Sequence, residues 1–374
     1  MNIGIDIRLL GRGTRSGIEE YTGELVSRLI GAPHQFDLFY NGRAMAPLPE
    51  SFSQPNVRVI NWSIPNRLVE ASMHLFGWPN LRSDVFFSPH FNFIKTSAPH
   101  IMTFHDLSFL HHKNFFSAKQ RFWHNLQSYK TQAKKSAHII AVSEFTKSDI
   151  VNFLKIPEEK ISVIYSGIGD EFRVLPPDNP AMADFIKNRQ LNFPFILYLG
   201  TIEPRKNIPA LIRAFNILKQ ASAHHDLRLV IAGAPGWLYQ STLKEAARSP
   251  AKNHIIFLGP IAPAERVFLY NKCRCFVYPS FFEGFGFPPL EAQKCGAPVV
   301  AAFRTSIPEV LADSAPLIDP WRVEDLALAI DKLLENMLAR KFFIDKGLAN
   351  ATRFSWADST QKTLKILEKY GARK

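Results

Sequence analysis

The sequence predicts an α/β protein made of two doubly wound, Rossmann-like parallel-sheet domains facing a central cleft. Three observations point there. The chain has 374 residues, longer than one hydrophobic core usually grows. Its second half alternates strand and helix patterns without interruption, as a parallel sheet covered by helices requires. Apolar runs such as Ala297–Ala302 read as strands buried on both faces. A hydrophobic content of 46% beside 21% charged residues suits a well-buried globular chain.

In chain order, Asn2–Arg8 alternates like a first strand, and Gly11, Gly13 and Gly17 follow it. Ile18, Tyr21, Leu25 and Leu29 recur at helical spacing, and Gly31 is placed to stop that helix. A strand, a glycine-rich turn and a helix bring backbone N–H groups close to phosphate. The dinucleotide fingerprint fits poorly, because the third glycine falls one residue late. Asp37 lies about 20 residues on, as that fingerprint asks, but near the start of the expected strand Phe36–Tyr40. Strands are expected at Val57–Trp62, Asp84–Phe87 and Ile101–Phe104. His105 and Asp106 then stand where open parallel sheets place ligand groups. This pair reads either as half of a metal site whose other ligands are not recognisable, or as a structural histidine and its neighbour. Ala137–Val142 gives another strand, Ser143 suits the N-cap of the next helix, and Lys160–Tyr165 closes the first half.

Pro176, Pro177 and Pro180 mark a linker over 173–193, between domains at 1–172 and 194–353. The second domain restarts with a strand at Phe195–Leu199, followed by Pro209–Gln220, Leu227–Ala232, His254–Leu258, Pro263–Asn271 and Arg274–Tyr278 in alternation. Tyr278–Ala302 is its centre. A strand ending at Tyr278 hands over to a loop with Glu283, Gly284 and Gly286, and a helix starts at Pro288 and Pro289 with Glu291 in its first turn. Loop N–H groups and a helix dipole aimed at one place suit an anion. Glu283 and Glu291, with seven residues between them, can each accept hydrogen bonds from vicinal sugar hydroxyls. The blander alternative makes Glu291 a dipole partner and Glu283 a solvated loop residue; Phe281, Phe282, Phe285 and Phe287 likewise read as ligand wall or as core. Arg205 and Lys206 are surface charges or phosphate ligands. Ser306 and Glu309 form a capping-box pattern, which makes Glu309 structural. A final helix over 354–374 carries Leu364, Ile366 and Leu367 on its apolar side.

The run FFEGFGFPPLEAQKCGAPVVAA resembles the donor-site signature of retaining glycosyltransferases of family 4, the group 1 glycosyl transferases with the GT-B fold. The pieces SGIEEYT, TFHDL, AVSEFTKSDI, VIYSGI, YLGTIEPRKN and SIPEVLADSAPLIDP match in the same order, so the resemblance covers nearly the whole chain. It implies a metal-independent hexosyltransferase that uses a nucleotide diphosphate sugar as co-substrate, with no cofactor. In its terms Gly17 lies by the donor phosphates and the acceptor, His105 meets the transferred sugar, and Arg205 and Lys206 neutralise the diphosphate. Glu283 orients the hexose together with Gly284, Phe285, Gly286 and Phe287, Glu291 grips the ribose, and the last helix crosses back to the first domain. The FHDLSFL and GFGFPPLEA stretches lean towards GDP-mannose and a lipid-linked saccharide acceptor in surface-polysaccharide synthesis. A nicotinamide-dependent oxidoreductase or epimerase, and an inactive binding protein of the same fold, are the rivals.

No Asp-x-Asp occurs, so no dedicated divalent metal is expected to hold the diphosphate, and no apolar run nears the roughly 18 residues of a membrane span. Together with the absence of a leader pattern, this leads to the expectation of a cytoplasmic protein. Cys273, Cys275 and Cys295 read as reduced structural thiols. The net charge is +12, with 18 basic against 14 acidic residues over 1–170 and 27 against 19 over 171–374. Leu107–Ser143 contains no acid, while Lys113, Lys119, Arg121, Lys130, Lys134 and Lys135 are interleaved with Phe115, Phe116, Phe122 and Trp123. That pattern suits the anionic inner face of a membrane, or an ordinary solvated basic helix. No nucleic-acid motif accompanies it.

Overall fold

The computed structural model describes residues 1–12, 17–41, 47–75, 81–111, 115 and 127–372. The chain divides into two compact units: Met1–Lys113, Ala118–Gly167 and Ser355–Lys374 form the first, Asn114–Ser117 and Ile168–Phe354 the second.

The first unit is a seven-stranded sheet of β1 (Asn2–Asp6), β2 (Gln35–Phe39), β3 (Val57–Ile60), β4 (Val85–Ser88), β5 (His100–Phe104), β6 (His138–Ala141) and β7 (Ile161–Val163), in the order β3-β2-β1-β4-β5-β6-β7. Every pairing is parallel, and the order reverses between β1 and β4, which makes the sheet doubly wound. β1 ends before Arg8 because the Asp6 carboxylate accepts the Arg8 N–H at 3.1 Å, a turn that ends extended pairing. The helix Gly17–Leu29 buries Tyr21, Leu25, Val26 and Leu29, and Gly13 lies outside the described residues. Ser143 caps the helix Glu144–Asp149 by accepting the Thr146 N–H at 3.0 Å.

The final helix, Trp356–Gly371, belongs to this unit and lies against the helix Gly17–Leu29 and β4. Its buried side is Trp356, Ser359, Thr363 and Leu367, while Leu364 and Ile366 are only half-buried. The fit is close enough to require glycine: a Cβ on Gly167 would stand 2.1 Å from the Trp356 nitrogen.

The second unit holds β8 (Phe195–Leu199), β9 (Arg228–Ala232), β10 (Ile255–Gly259), β11 (Cys275–Tyr278), β12 (Val299–Ala302) and β13 (Leu317–Ile318), in the order β10-β9-β8-β11-β12-β13. All pairings are again parallel, and the order reverses between β8 and β11. The stretch 173–193, expected as a linker, carries the helix Pro180–Asn188 and counts with this unit. Asn179 caps that helix by accepting the Met182 N–H at 2.9 Å, and Pro180 occupies its first turn. Pro180 therefore marks a helix start, and Phe185 packs its ring 5.5 Å from that of Phe268. Cys273, Cys275 and Cys295 are free and buried, and burial pushes the Cys275 thiol up to about 12. Among the described residues no helix is long and apolar enough to cross a membrane.

Candidate functional site

β8 and β11 are neighbours at the point where the second sheet reverses its order, and a ligand crevice is expected beyond the carboxyl ends of such strands. After β8 the chain passes Glu203, makes a tight turn through Pro204–Lys206, and enters the helix Ile208–Leu218 through Asn207, which takes a left-handed φ of 54°. After β11 it runs through Phe281–Gly286 into the helix Phe287–Lys294. Gly286 has φ 105°, and a Cβ there would come within 2.7 Å of Ile307 Cδ1. Only glycine fits this joint without strain.

These two segments bring Arg205, Lys206 and Glu283 together. Lys206 Nζ donates to Glu283 Oε1 at 2.7 Å and to the Tyr278 hydroxyl at 2.7 Å. Arg205 Nη1 donates to Glu283 Oε2 at 3.0 Å and to the Phe282 carbonyl at 2.9 Å, and its Nε pairs with Glu203. Burial alone would raise the Glu283 carboxyl, but Lys206 and Arg205 outweigh it and hold the pKa at about 2. Lys206 is shifted down, first by burial and then by the Arg205 charge. Two carboxylates face two cations, so the cluster is self-neutralised, and neither cation stands as an isolated charge.

Two residues hold the loop, Thr305, which sequence reasoning missed, and Ser306, to which it gave another role. Ser306 Oγ donates to the Glu283 carbonyl at 3.0 Å and the Phe285 carbonyl at 3.1 Å. Thr305 Oγ1 accepts the Glu283 N–H at 3.0 Å while its own backbone sits at φ 51°, an uncommon conformation for a β-branched residue. The expected capping box is thereby corrected: Ser306 makes no side-chain cap to the helix Ile307–Leu311, because its hydroxyl serves the glutamate loop.

Glu291 belongs to a separate cluster. It lies in the second turn of the helix Phe287–Lys294, not the first, because the helix begins one residue before the prolines. Its carboxylate is 1% exposed, with Arg266 Nη1 at 3.1 Å from Oε1 and the Tyr270 hydroxyl at 2.8 Å from Oε2. The phenylalanines divide. Phe282 and Phe285 are core, with the Phe285 ring 5.2 Å from Phe287 and 5.7 Å from Phe354. Phe281 is half-buried, its ring 4.3 Å from Trp321 and stacked at 5.9 Å on Phe115, which counts with this unit.

The other expected site residues, Gly17 and His105, belong to the first unit. Gly17 is exposed at the start of its helix. His105 follows β5 and donates from Nε2 to the Pro89 carbonyl at 2.8 Å. A carbonyl only accepts, so the neutral ring carries its proton on Nε2 and its lone pair on Nδ1. Burial lowers its pKa and favours that neutral form. Tyr21 meets the ring edge-on, with centroids 4.7 Å apart. Asp106 accepts from the Ser108 N–H and hydroxyl at 3.0 and 2.7 Å, which gives it a turn-forming role. At the reversal of the first sheet the structure adds an unforeseen buried group, in which Arg8 Nε and Nη2 grip Asp6 at 2.9 and 2.7 Å and His90 lies 3.7 Å away. Only the Asp-x-Arg spacing at the end of the first strand could have signalled it.

Asp37, which a dinucleotide site would place at a strand end, sits within β2 and is occupied by Arg58 at 2.7 and 2.8 Å and by Asn2 at 2.7 Å. Among the described residues no group of three or more His, Cys, Asp or Glu side chains could hold a metal ion.

Comparison with known proteins agrees with this fold. The sequence profile described as "Glycosyltransferase Family 4" matches residues 15–172, and that described as "Glycosyl transferases group 1" matches residues 183–348. O-antigen chain mannosyltransferase B of Escherichia coli is 27% identical over 93% of this chain and 95% of its own length. Sucrose-phosphate synthase from Thermosynechococcus elongatus superposes with a TM-score of 0.78 at 18% identity, covering 100% of both chains. Anabaena Alr3699/HepE, solved with UDP-glucose, gives 0.74 at 19% identity over 99% of this chain and 100% of its own. With two doubly wound parallel sheets, a cation–carboxylate pair at the reversal point of the second, and family profiles over both halves, the chain belongs to the glycosyltransferases of family 4 and group 1, enzymes of the GT-B fold.

Proposed function

We propose that the chain transfers mannose from GDP-mannose, with retention of anomeric configuration and without a metal ion, to a lipid-linked saccharide acceptor in O-antigen-type surface-polysaccharide synthesis. The observation that carries the reading is the Arg205–Lys206–Glu283 constellation beyond β8 and β11. When the anomeric bond breaks, negative charge grows on the departing diphosphate, and fixed donors aimed at that charge are usually the largest catalytic term. Arg205 and Lys206 supply them. Because Arg205 is paired with Glu203 and Glu283, and Lys206 with Glu283, they act as held donors rather than free charges. The main chain of Gly284, Phe285, Gly286 and Phe287 adds the N-terminal end of a helix dipole.

Glu283 orients hexose hydroxyls, and Glu291 grips the ribose. In the first unit the contributors are Gly17 and His105, the latter offering Nδ1 to a sugar hydroxyl. The relative in Escherichia coli, an O-antigen chain mannosyltransferase by name, supports the choice of mannose and of polysaccharide.

Thermal stabilisation by GDP-, UDP-, ADP- and dTDP-sugars plus NAD and NADP, all in a chelator, tests this reading. A ligand that binds only the folded chain raises apparent stability by mass action. GDP-mannose is expected to give the largest shift, and Glu291→Ala to remove it. Stabilisation that needs Mg²⁺, or that comes from NAD or NADP alone, would overturn the reading.

A further inference from the structure

Building on that donor-site reading, we propose that Trp321 is the stacking platform for a pyranose ring of the saccharide acceptor. Trp321 is 68% exposed, yet it is held from several sides. Its backbone N–H donates to Asp319 Oδ1 at 3.1 Å, and Asn207 Nδ2, buried at the start of the helix after Lys206, donates to the Pro320 carbonyl at 2.8 Å. The indole backs onto Phe281 with centroids 4.3 Å apart, and the Phe281 N–H donates to the Arg205 carbonyl at 2.8 Å. The same backbone that carries the phosphate-binding arginine therefore fixes the position of the indole.

A lone exposed aromatic is ordinary. This one has company: Phe303, 62% exposed, stands just past β12, where its N–H donates to the Ile318 carbonyl at 2.7 Å. Two exposed aromatics thus sit just past the carboxyl ends of adjacent strands, the end at which parallel sheets hold ligands. Charged side chains neighbour them in the chain, with Arg304 and Asp319 paired at 3.7 Å and Arg322 and Asp325 at 3.0 Å. A pyranose matches that combination. Its axial C–H bonds turn slightly positive hydrogens towards the negative face of an indole, while its equatorial hydroxyls point outward to guanidinium and carboxylate groups.

The acceptor is favoured over the donor hexose on depth. Lys206 and Glu283, which would hold the donor, are each 6% exposed. Trp321 stands on the rim, where a ring must arrive from solvent and leave as product.

Saturation-transfer NMR on a panel of methyl α-mannoside, methyl α-glucoside, N-acetylglucosamine, mannobiose and mannotriose tests the platform, because it reads ligand protons. At least one pyranoside is expected to receive saturation at its ring C–H protons. Trp321→Ala should weaken that binding about tenfold, the loss of one stacked ring, and Trp321→Phe should retain most of it. Binding of no pyranoside, equal binding by Trp321→Ala, or a Trp321-dependent response to GDP or to lipid vesicles alone would overturn the proposal. Loss of donor stabilisation with the pyranoside response intact would instead count against the donor reading, so the two failures are separable.

Discussion

Glu283 and Glu291 share a motif but not an environment, and that difference sets what each substitution does. Glu283 has a pKa of about 2 against 4.5 for a free side chain, so its ionised form stabilises the fold above pH 4.5. That contribution is lost as the pH falls from 4.5 towards about 2, at no more than ~1.4 kcal/mol per pH unit. Glu283→Gln should therefore be less stable than the parent at neutral pH, by the roughly 3–5 kcal/mol of a broken buried pair. Its stability should also change less between pH 4.5 and pH 3; parallel acid profiles in urea titrations would refute the assignment. For Glu291→Ala, the 14% exposed Arg266 side chain loses its buried partner, so a fall in stability must accompany any loss of donor affinity. We expect Glu291→Ala to raise the KM for the nucleotide sugar and Glu283→Ala chiefly to lower kcat. Unchanged kinetics in both would remove this loop from the site.

At the scale of the element, the loop from Phe281 to Gly286 works because a second loop holds it. Ser306→Ala deletes a hydroxyl shared by the Glu283 and Phe285 carbonyls, and leaving buried acceptors unpaired costs about 1–3 kcal/mol. The expected outcome is a fall in kcat of about tenfold with the far-UV spectrum intact, and Ser306→Thr should recover part of it; wild-type kinetics in Ser306→Ala would show that the loop holds itself. The example also marks what the sequence could convey. Strand and helix alternation was legible because it is written in local periodicity, and Arg205, Lys206 and Glu283, which the structure brings together, could be singled out because their neighbours form a recognisable pattern. Ser306 was misread because the capping box is a local rule, whereas the carbonyls it serves lie more than twenty residues away in the chain. Asn179 and Pro180 show the reverse error, a local helix start hidden inside a proline-rich composition. The Asp6–Arg8–His90 group stayed silent for the same reason as Ser306, since His90 joins it only through the sheet order.

At the scale of the whole molecule, the net charge of +12 needs a physical outlet, and the acid-free segment offers one. Of its cations, Lys113, Lys119 and Arg121 lie outside the described residues, as do Phe116, Phe122 and Trp123. The helix Tyr129–Lys135 is described, and on it Lys130, Lys134 and Lys135 are all exposed while Gln132 and Ala133 are buried. Such a face costs nothing in the fold and adds about 1 kcal/mol of attraction per lysine near an anionic lipid surface, falling off within a Debye length. Reversing two charges with Lys134→Glu and Lys135→Glu should therefore weaken sedimentation with phosphatidylglycerol vesicles by at least tenfold at low salt. Neutral phosphatidylcholine vesicles should not distinguish the proteins, and rising salt should bring the anionic curves together. The stability of the helix should be almost unaffected, because none of the substituted groups is buried. Equal binding to anionic vesicles at low salt would mean that the face is ordinary solvated surface. In that case an acceptor carried on a lipid would have to be reached by some other part of the molecule.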